Sequence, residues 1–386
     1  MSAYLPLFLI AVLAFIIPII SERIGIPAVV GEIVCGIIIG GSVLGVISGG
    51  EEGIAFLSRF GFVFLMFLIG LEIDFTQIEL HGPKSLIIGL LVFLLTLAMS
   101  IILVDYIGYG FYLAIILSCS AVGLIASTLR ETGMARSEYG QTITISAFIA
   151  DFAVIILVTA YTFYLKDDVT TGRLLLIPIL FLLFFGVYYL GRHLIWRFPE
   201  RLSNFFKSDH PSEIGVRACF ALLLIFVVLS EALGAEAVLG AFLAGVMLSG
   251  LFGGGTVLEQ KLYGIGYGFL IPIFFITVGI NFNLSAMVSG EGIYLIPVIL
   301  AIALIVKIIP SLILLTKYTL KESISAGVLL SSRLSMMIAV AAVGLELGLI
   351  DTKLESAIIL LAILTSITCP IIFKRVQAEA IGDRAL

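Results

Sequence analysis

Charge is the scarce commodity in this chain. Asp, Glu, Lys and Arg together make up 12% of its 386 residues, against about a quarter in a soluble globular domain. Histidine occurs three times and tryptophan once. The four cysteines, Cys35, Cys119, Cys219 and Cys369, show neither disulfide nor metal-ligand spacing and read as small core residues. No metal-ligand cluster, nucleophile constellation or phosphate-binding loop is present, so the chain does not read as an enzyme. Neither a cofactor nor a nucleic-acid partner is expected. No cationic segment or cleavage site precedes the first apolar run, which therefore reads as a retained helix rather than a signal peptide.

What remains is apolar. Hydrophobic residues make up 61% and the mean hydropathy is +1.24, which makes membrane lipid the medium in which the chain folds. Runs of spanning length recur near 3–21, 27–47, 54–73, 85–107, 110–130, 140–165, 173–195, 213–233, 236–252, 259–281, 294–316, 321–345 and 353–373. The fold class is thus an all-α polytopic membrane protein of about thirteen transmembrane helices. With the N-terminus outside, 15 of the 21 Lys and Arg residues fall in cytoplasmic loops. Only Arg59, Lys166, Arg173 and Lys353 fall on the outer side, and Lys307 and Arg333 lie within spans. The positive-inside rule therefore places the N-terminus outside and the C-terminus in the cytoplasm of what reads as a prokaryotic cell membrane.

An internal repeat is visible. "GIPAVVGEIVCG" (25–36) matches "GAEAVLGAFLAG" (234–245), and "FLMFLIGLEIDF" (64–75) matches "IFFITVGINFNL" (273–284), both at a spacing of 209. The matched spans run in opposite directions, so the halves are inverted. That is the sequence mark of secondary transporters whose site lies midway between the halves. The expected division is a first repeat over 1–165, a linker helix and basic loop over 166–212, a second repeat over 213–375 and a short tail over 376–386.

Three charges stand near the middle of spans: Asp151 in "SAFIADFAVIILV", Lys307 in "IALIVKIIPSLI" and Arg333 in "LSSRLSMM". At about 1.5 Å of rise per residue, each is some 16–20 Å from a span end, within a core of about 30 Å. Each costs roughly 2.5–3.5 kcal/mol on insertion scales. A purely structural ion pair is the plainer reading, but buried pairs are often replaceable by apolar residues at no loss, so a functional site is favoured. Spans 5 and 12 carry "LSCSAVG" (117–123) and "LLSSRLS" (329–335), with Ser118, Cys119 and Ser120 in one and Ser331 and Ser332 in the other. Small hydroxyl residues at mid-membrane permit a helix to unwind, and the matched positions predict a pair of broken helices around the site. Glu32 and Glu72, toward the cytoplasmic ends of spans 2 and 3, line an inner cation-collecting funnel or are solvated at the interface. His81, His193 and His210 read as solvated.

These pieces, with "SCSAVG…LRETGM", "GQTITISAFIADF", "GAFLAGVMLS", "PIFFITVGINFNL" and "GLELGLI", give a chain that resembles the monovalent cation:proton antiporter-2 family of Kef-type and sodium/proton antiporters over residues 1–375. The resemblance implies the sodium/proton antiporter fold, two inverted six-helix repeats with discontinuous crossing helices. It implies a mobile core of spans 3–5 and 10–12 with 6 and 13, and a panel that forms a homodimer. It makes Asp151 the ion- and proton-binding residue, with Ser118, Ser120 and Glu72 near the ion and Lys307 and Arg333 compensating charge. Two departures stand out. The family places Asp, Asn or Gln before its aspartate, and here that residue is Ala150. The Kef-type nucleotide-binding regulatory domain is not seen. The implied function is exchange of Na⁺, or K⁺, for H⁺ by competition at Asp151, electroneutral if Asp151 is the one exchanging acid. The alternative is a Kef-like K⁺ efflux pathway without obligatory proton exchange.

Overall fold

The computed structural model describes residues 5–47, 51–72, 82–135, 137–165, 213–252, 257–284 and 292–384, with scattered positions between 182 and 197. The described residues form helices and turns, with no strand among them. In chain order the helices are α1 (Leu5–Ile24), α2 (Ala28–Ile39), α3 (Glu52–Leu71), α4 (Gly82–Tyr106), α5 (Phe111–Ser118), α6 (Val122–Glu131) and α7 (Glu138–Leu165). They continue as α8 (Ile214–Ala232), α9 (Ala237–Phe252), α10 (Val257–Ile265) and α11 (Ile271–Asn281), the last two joined by a π-helical turn. The final set is α12 (Gly292–Ser311), α13 (Leu320–Leu330), α14 (Ser335–Glu346) and α15 (Thr352–Arg384).

Nine spans among the described residues are long and apolar enough to cross a membrane, and α13 with α14 makes a further one bent by 45°. The shorter apolar helices α2 and α9 fall on two more of the expected spans. Span 7 (173–195) and the basic loop 196–212 lie almost wholly outside the described residues, as do His81 and His210.

The chain divides into two compact units, each drawn from both repeats. One comprises 1–24, 31–77 and 159–281; the other comprises 25–30, 78–158 and 282–386. The division differs from the expected core, because α3, α10 and α11 (spans 3 and 10) pack in the first unit rather than with Asp151. The reason is backbone contact. A Cβ on Gly70 of α3 would lie 2.2 Å from the Phe242 carbonyl oxygen of α9, and one on Gly245 of α9 would lie 2.0 Å from that of Phe67. Only glycine admits so close a crossing.

The same unit contains the mirror of that crossing. Gly36 of α2 meets the Ile276 carbonyl of α11, and Gly279 of α11 meets that of Ile33, each at 2.1 Å from the absent Cβ. Gly36 and Gly245 are 209 residues apart, and so are Gly70 and Gly279. Each repeat's second helix thus crosses the other repeat's third helix at matched glycines. Gly25 and Gly234, also 209 apart, both end their preceding helices in the left-handed region, at φ 78° and 80°.

The second unit holds the three mid-span charges. Its apolar core includes Val92, Ile125, Leu129, Ile143, Leu329 and Phe373. At one end, Lys317 pairs with Glu138 and Lys374 with Glu131. Nearby the Tyr139 hydroxyl donates to the Glu322 carbonyl at 2.7 Å.

Candidate ion-binding site

Both expected breaks are present in the second unit. The first separates α5 from α6 over 119–121; the second separates α13 from α14 over 331–334. A helix C-terminus leaves four carbonyls without partners, and in lipid these must be satisfied internally. At the end of α5, Ile116 accepts from the Cys119 amide at 3.2 Å, and Ile115 receives the Cys119 thiol at 4.0 Å. Leu117 accepts from Arg333 Nη2 at 2.8 Å and Ser118 from Lys307 Nζ at 2.8 Å. At the end of α13, Gly327 and Val328 accept from the Ser331 amide and Leu329 from that of Ser332. The fourth carbonyl, Leu330, accepts from Ser120 Oγ at 3.2 Å.

Ser120 is therefore the hub. Its hydroxyl donates to α13's last carbonyl and accepts from Lys307 Nζ at 2.9 Å. Its backbone amide, released by the break, donates to Asp151 Oδ1 at 3.0 Å. Asp151, at 4% exposed, is set in the apolar helix α7. The charges obey the half-helix dipoles. The carboxylate meets a free amide at the start of α6, and the two cations meet free carbonyls at the ends of α5 and α13. Arg333, fully buried, also donates to the Ala303 and Ser331 carbonyls at 2.9 and 3.3 Å.

The structure thus gathers Asp151, Ser118, Ser120, Lys307 and Arg333 into one network and places Cys119, Ser331 and Ser332 at the breaks. Ser118 contributes its carbonyl, since its own hydroxyl turns back to Ala114 at 2.8 Å. Ser331 likewise turns to Gly327, whereas Ser332 Oγ and Arg333 Nε, both buried, have no hydrogen-bond partner among the described residues. Glu72 stands at the C-terminal end of α3, in the first unit, where its backbone amide donates to the Leu68 carbonyl at 3.0 Å. Ala150 is buried at 2% exposed and contributes only a methyl group. All four cysteines are buried and free.

Sequence reasoning did not find the backbone acceptors at Leu117, Ala303 and Leu330, nor Thr365, whose hydroxyl reaches the Arg333 carbonyl at 3.5 Å. A carbonyl leaves no mark in a sequence; the signal was the run of small residues that frees it. Among the described residues no group of three or more His, Cys, Asp or Glu is placed to hold a resident metal ion. A single carboxylate amid hydroxyls and carbonyls suits a hard monovalent cation carried as cargo.

The chain is similar to known proteins along most of its length. A Bacillus subtilis protein named as a putative Na⁺/H⁺ antiporter is 37% identical over 96% of this chain, and the chain spans 62% of its length. The Na⁺/H⁺-K⁺ antiporter GerN of Bacillus cereus is 28% identical, over 92% of this chain and 91% of its own. Among solved structures, the sodium proton antiporter MjNhaP1 of Methanocaldococcus jannaschii superposes with a TM-score of 0.63 at 16% identity. That match covers 96% of this chain and 95% of the other, and it shows the fold alone. The model of the family described as the transmembrane sodium/hydrogen exchanger matches residues 10–377. By its sequence the chain belongs to that sodium/hydrogen exchanger family.

Proposed function

We propose that the protein is a secondary active antiporter that exchanges a monovalent cation, Na⁺ in the first instance, for H⁺ by alternating access. The observation that carries this reading is the Asp151–Ser120–Lys307 network at the two helix breaks. Asp151 holds either a proton or a desolvated cation, since one carboxylate cannot charge-compensate both. Competition for one site converts a gradient of either ion into transport of the other. Ala150 adds no second exchanging acid at this point of α7, so one cation exchanges for one proton and the cycle moves no net charge.

Alkali cations require oxygen ligands. Asp151 and the Ser120 hydroxyl supply them, with carbonyls at the ends of α5 and α13 completing the shell. In the present arrangement those carbonyls are held by Lys307, Arg333 and Ser120 itself, so cation entry requires these donors to shift. Sodium is favoured because several relatives are named for Na⁺/H⁺ exchange; others are named for K⁺. The protein works as a homodimer in a cell membrane, N-terminus outside.

The test is proton flux in proteoliposomes that hold a pH gradient, on adding Na⁺, K⁺ or Li⁺. Wild type collapses the gradient with its preferred cation, and Asp151→Asn does not. Equal collapse by Asp151→Asn, or cation flux in wild type with no proton counterflow, contradicts the proposal; the second result points to a channel.

A further inference from the structure

The inverted repeat supplies each helix with an internal control. Along α1–α2 and α8–α9 the spacing of 209 pairs Ser21 with Ser230, Gly31 with Gly240 and Gly36 with Gly245. Both serines are buried, and both glycines 31 and 240 are pressed against the helix that carries the paired serine. Among the positions that differ, one buries a charge that the other repeat lacks. Glu32 of α2 stands where α9 has Ala241, and both are buried, at 4% and 0% exposed. A methyl group therefore satisfies the packing at this place in the repeat, and the fold does not demand an acid there.

Glu32 has no hydrogen-bond or ion-pair partner among the described residues. The described elements seen against α2 are α1, through Ser21 beneath Gly31, α11, through Ile276 and Gly279, and the cluster joining Ile39 to Ile54 of α3, whose Glu52 and Arg59 are exposed. Helix α11 carries no ionisable side chain. On α1, Glu22 and Arg23 are exposed, and on α2 itself the neighbouring Cys35 is buried. Among the described residues no charged group bears on Glu32. Unpaired ionised carboxylates are expensive in such surroundings, and the group takes up a proton instead. The step is simple: hydronium yields its proton to a carboxylate oxygen, an O–H bond forms, water leaves, and one negative charge is lost.

We propose that Glu32 is a second proton-binding site, separate from the Asp151 network, and that its protonation sets the pH range of exchange without adding a transported proton. Coupling requires proton and cation to exclude each other at one place. Glu32 shares no hydrogen bond with Ser120, Lys307 or Asp151, so a proton there is not displaced by the cation. The regulatory half of this inference rests on the antiport reading; the proton-binding half rests on burial and on the repeat.

The test uses the full chain in lipid: wild type, Glu32→Gln, Glu32→Ala and Asp151→Asn. The alanine variant copies Ala241 and keeps the experiment valid should the glutamine variant misfold. Infrared difference spectra between alkaline and acid pH read the carboxylic-acid C=O stretch. A titrating band present in wild type and Asp151→Asn and missing from both Glu32 variants is the expected result; spectra of the Glu32 variants identical to wild type overturn the site. In proteoliposomes, both Glu32 variants shift the pH midpoint of exchange by about one unit or more, tenfold in proton concentration, with protons per cation unchanged. An unshifted profile overturns the regulatory role, and an altered ratio shows that the proton is transported. If wild type exchanges nothing, the antiport reading fails while the infrared result still decides Glu32.

Discussion

Ser120 spends both its groups on the site, which separates its two contributions experimentally. Ser120→Ala keeps the backbone amide on Asp151 but removes the hydroxyl between Lys307 and the Leu330 carbonyl. A buried carbonyl left without a donor costs about 1–3 kcal/mol. The variant is therefore expected to fold, to lose that much in thermal-shift stability, and to exchange more slowly. Arg333→Leu strips donors from three carbonyls, Leu117, Ala303 and Ser331, and should lose more than Ser120→Ala in the same assay. Arg333→Lys recovers only part, because an ammonium cannot reproduce the planar fork. If Arg333→Leu melts with wild type, the guanidinium is not the cap described here. At this scale the sequence was readable for the three charges near the middle of spans: Asp151, Lys307 and Arg333 all fall in one network. Glu72 was legible only as an acid at a span end, because a carboxylate there looks the same in a sequence whichever partner it faces.

Helices record their partners through glycine. Gly36, Gly70, Gly245 and Gly279 each sit where a Cβ would come within 2.0–2.2 Å of a backbone carbonyl oxygen, and backbone cannot yield as a side-chain tip can. Gly70→Ala and Gly245→Ala are expected to destabilise the α3–α9 crossing by the overpacking cost of about 1–3 kcal/mol or more. Gly41→Ala and Gly53→Ala, where a Cβ meets nothing within 4 Å, serve as controls. Size-exclusion profiles and melting temperatures of the four variants decide the matter, and equal behaviour of both pairs contradicts the crossing. The repeat that exposed these glycines was legible because a constant spacing survives in two successive spans. The breaks were legible within two residues: 117–123 narrows to 119–121, and 329–335 to 331–334. The division into units was not legible, because which neighbour a span prefers depends on shape matched across helices. Spans 3 and 10 fall with α2 and α9 for that reason.

Across the whole molecule, the family match at 10–377 and the apolar spans define a multi-pass membrane exchanger fold. The positive-inside count adds an orientation that a labelling experiment can check. Lys317 and Lys374 lie at the same end of their unit through their pairs with Glu138 and Glu131. A single cysteine in place of Lys317 should label only from the cytoplasmic side of intact cells, and one in place of Lys353 only from outside. The native cysteines add little background, being buried. Labelling with the opposite sidedness inverts the topology. Charged surface pairs of this kind are worth at most about 1 kcal/mol, so replacing Lys317 should leave the fold intact.

The central claim is that proton and cation exclude one another at Asp151. The most direct measurement is the proton release that accompanies cation binding to purified protein in weakly buffered detergent solution. Wild type should release protons on Na⁺ addition, with apparent cation affinity falling toward about tenfold per pH unit on the acid side, and Asp151→Asn should release none. Cation binding without proton release in wild type, or undiminished release from Asp151→Asn, would contradict competition at this carboxylate.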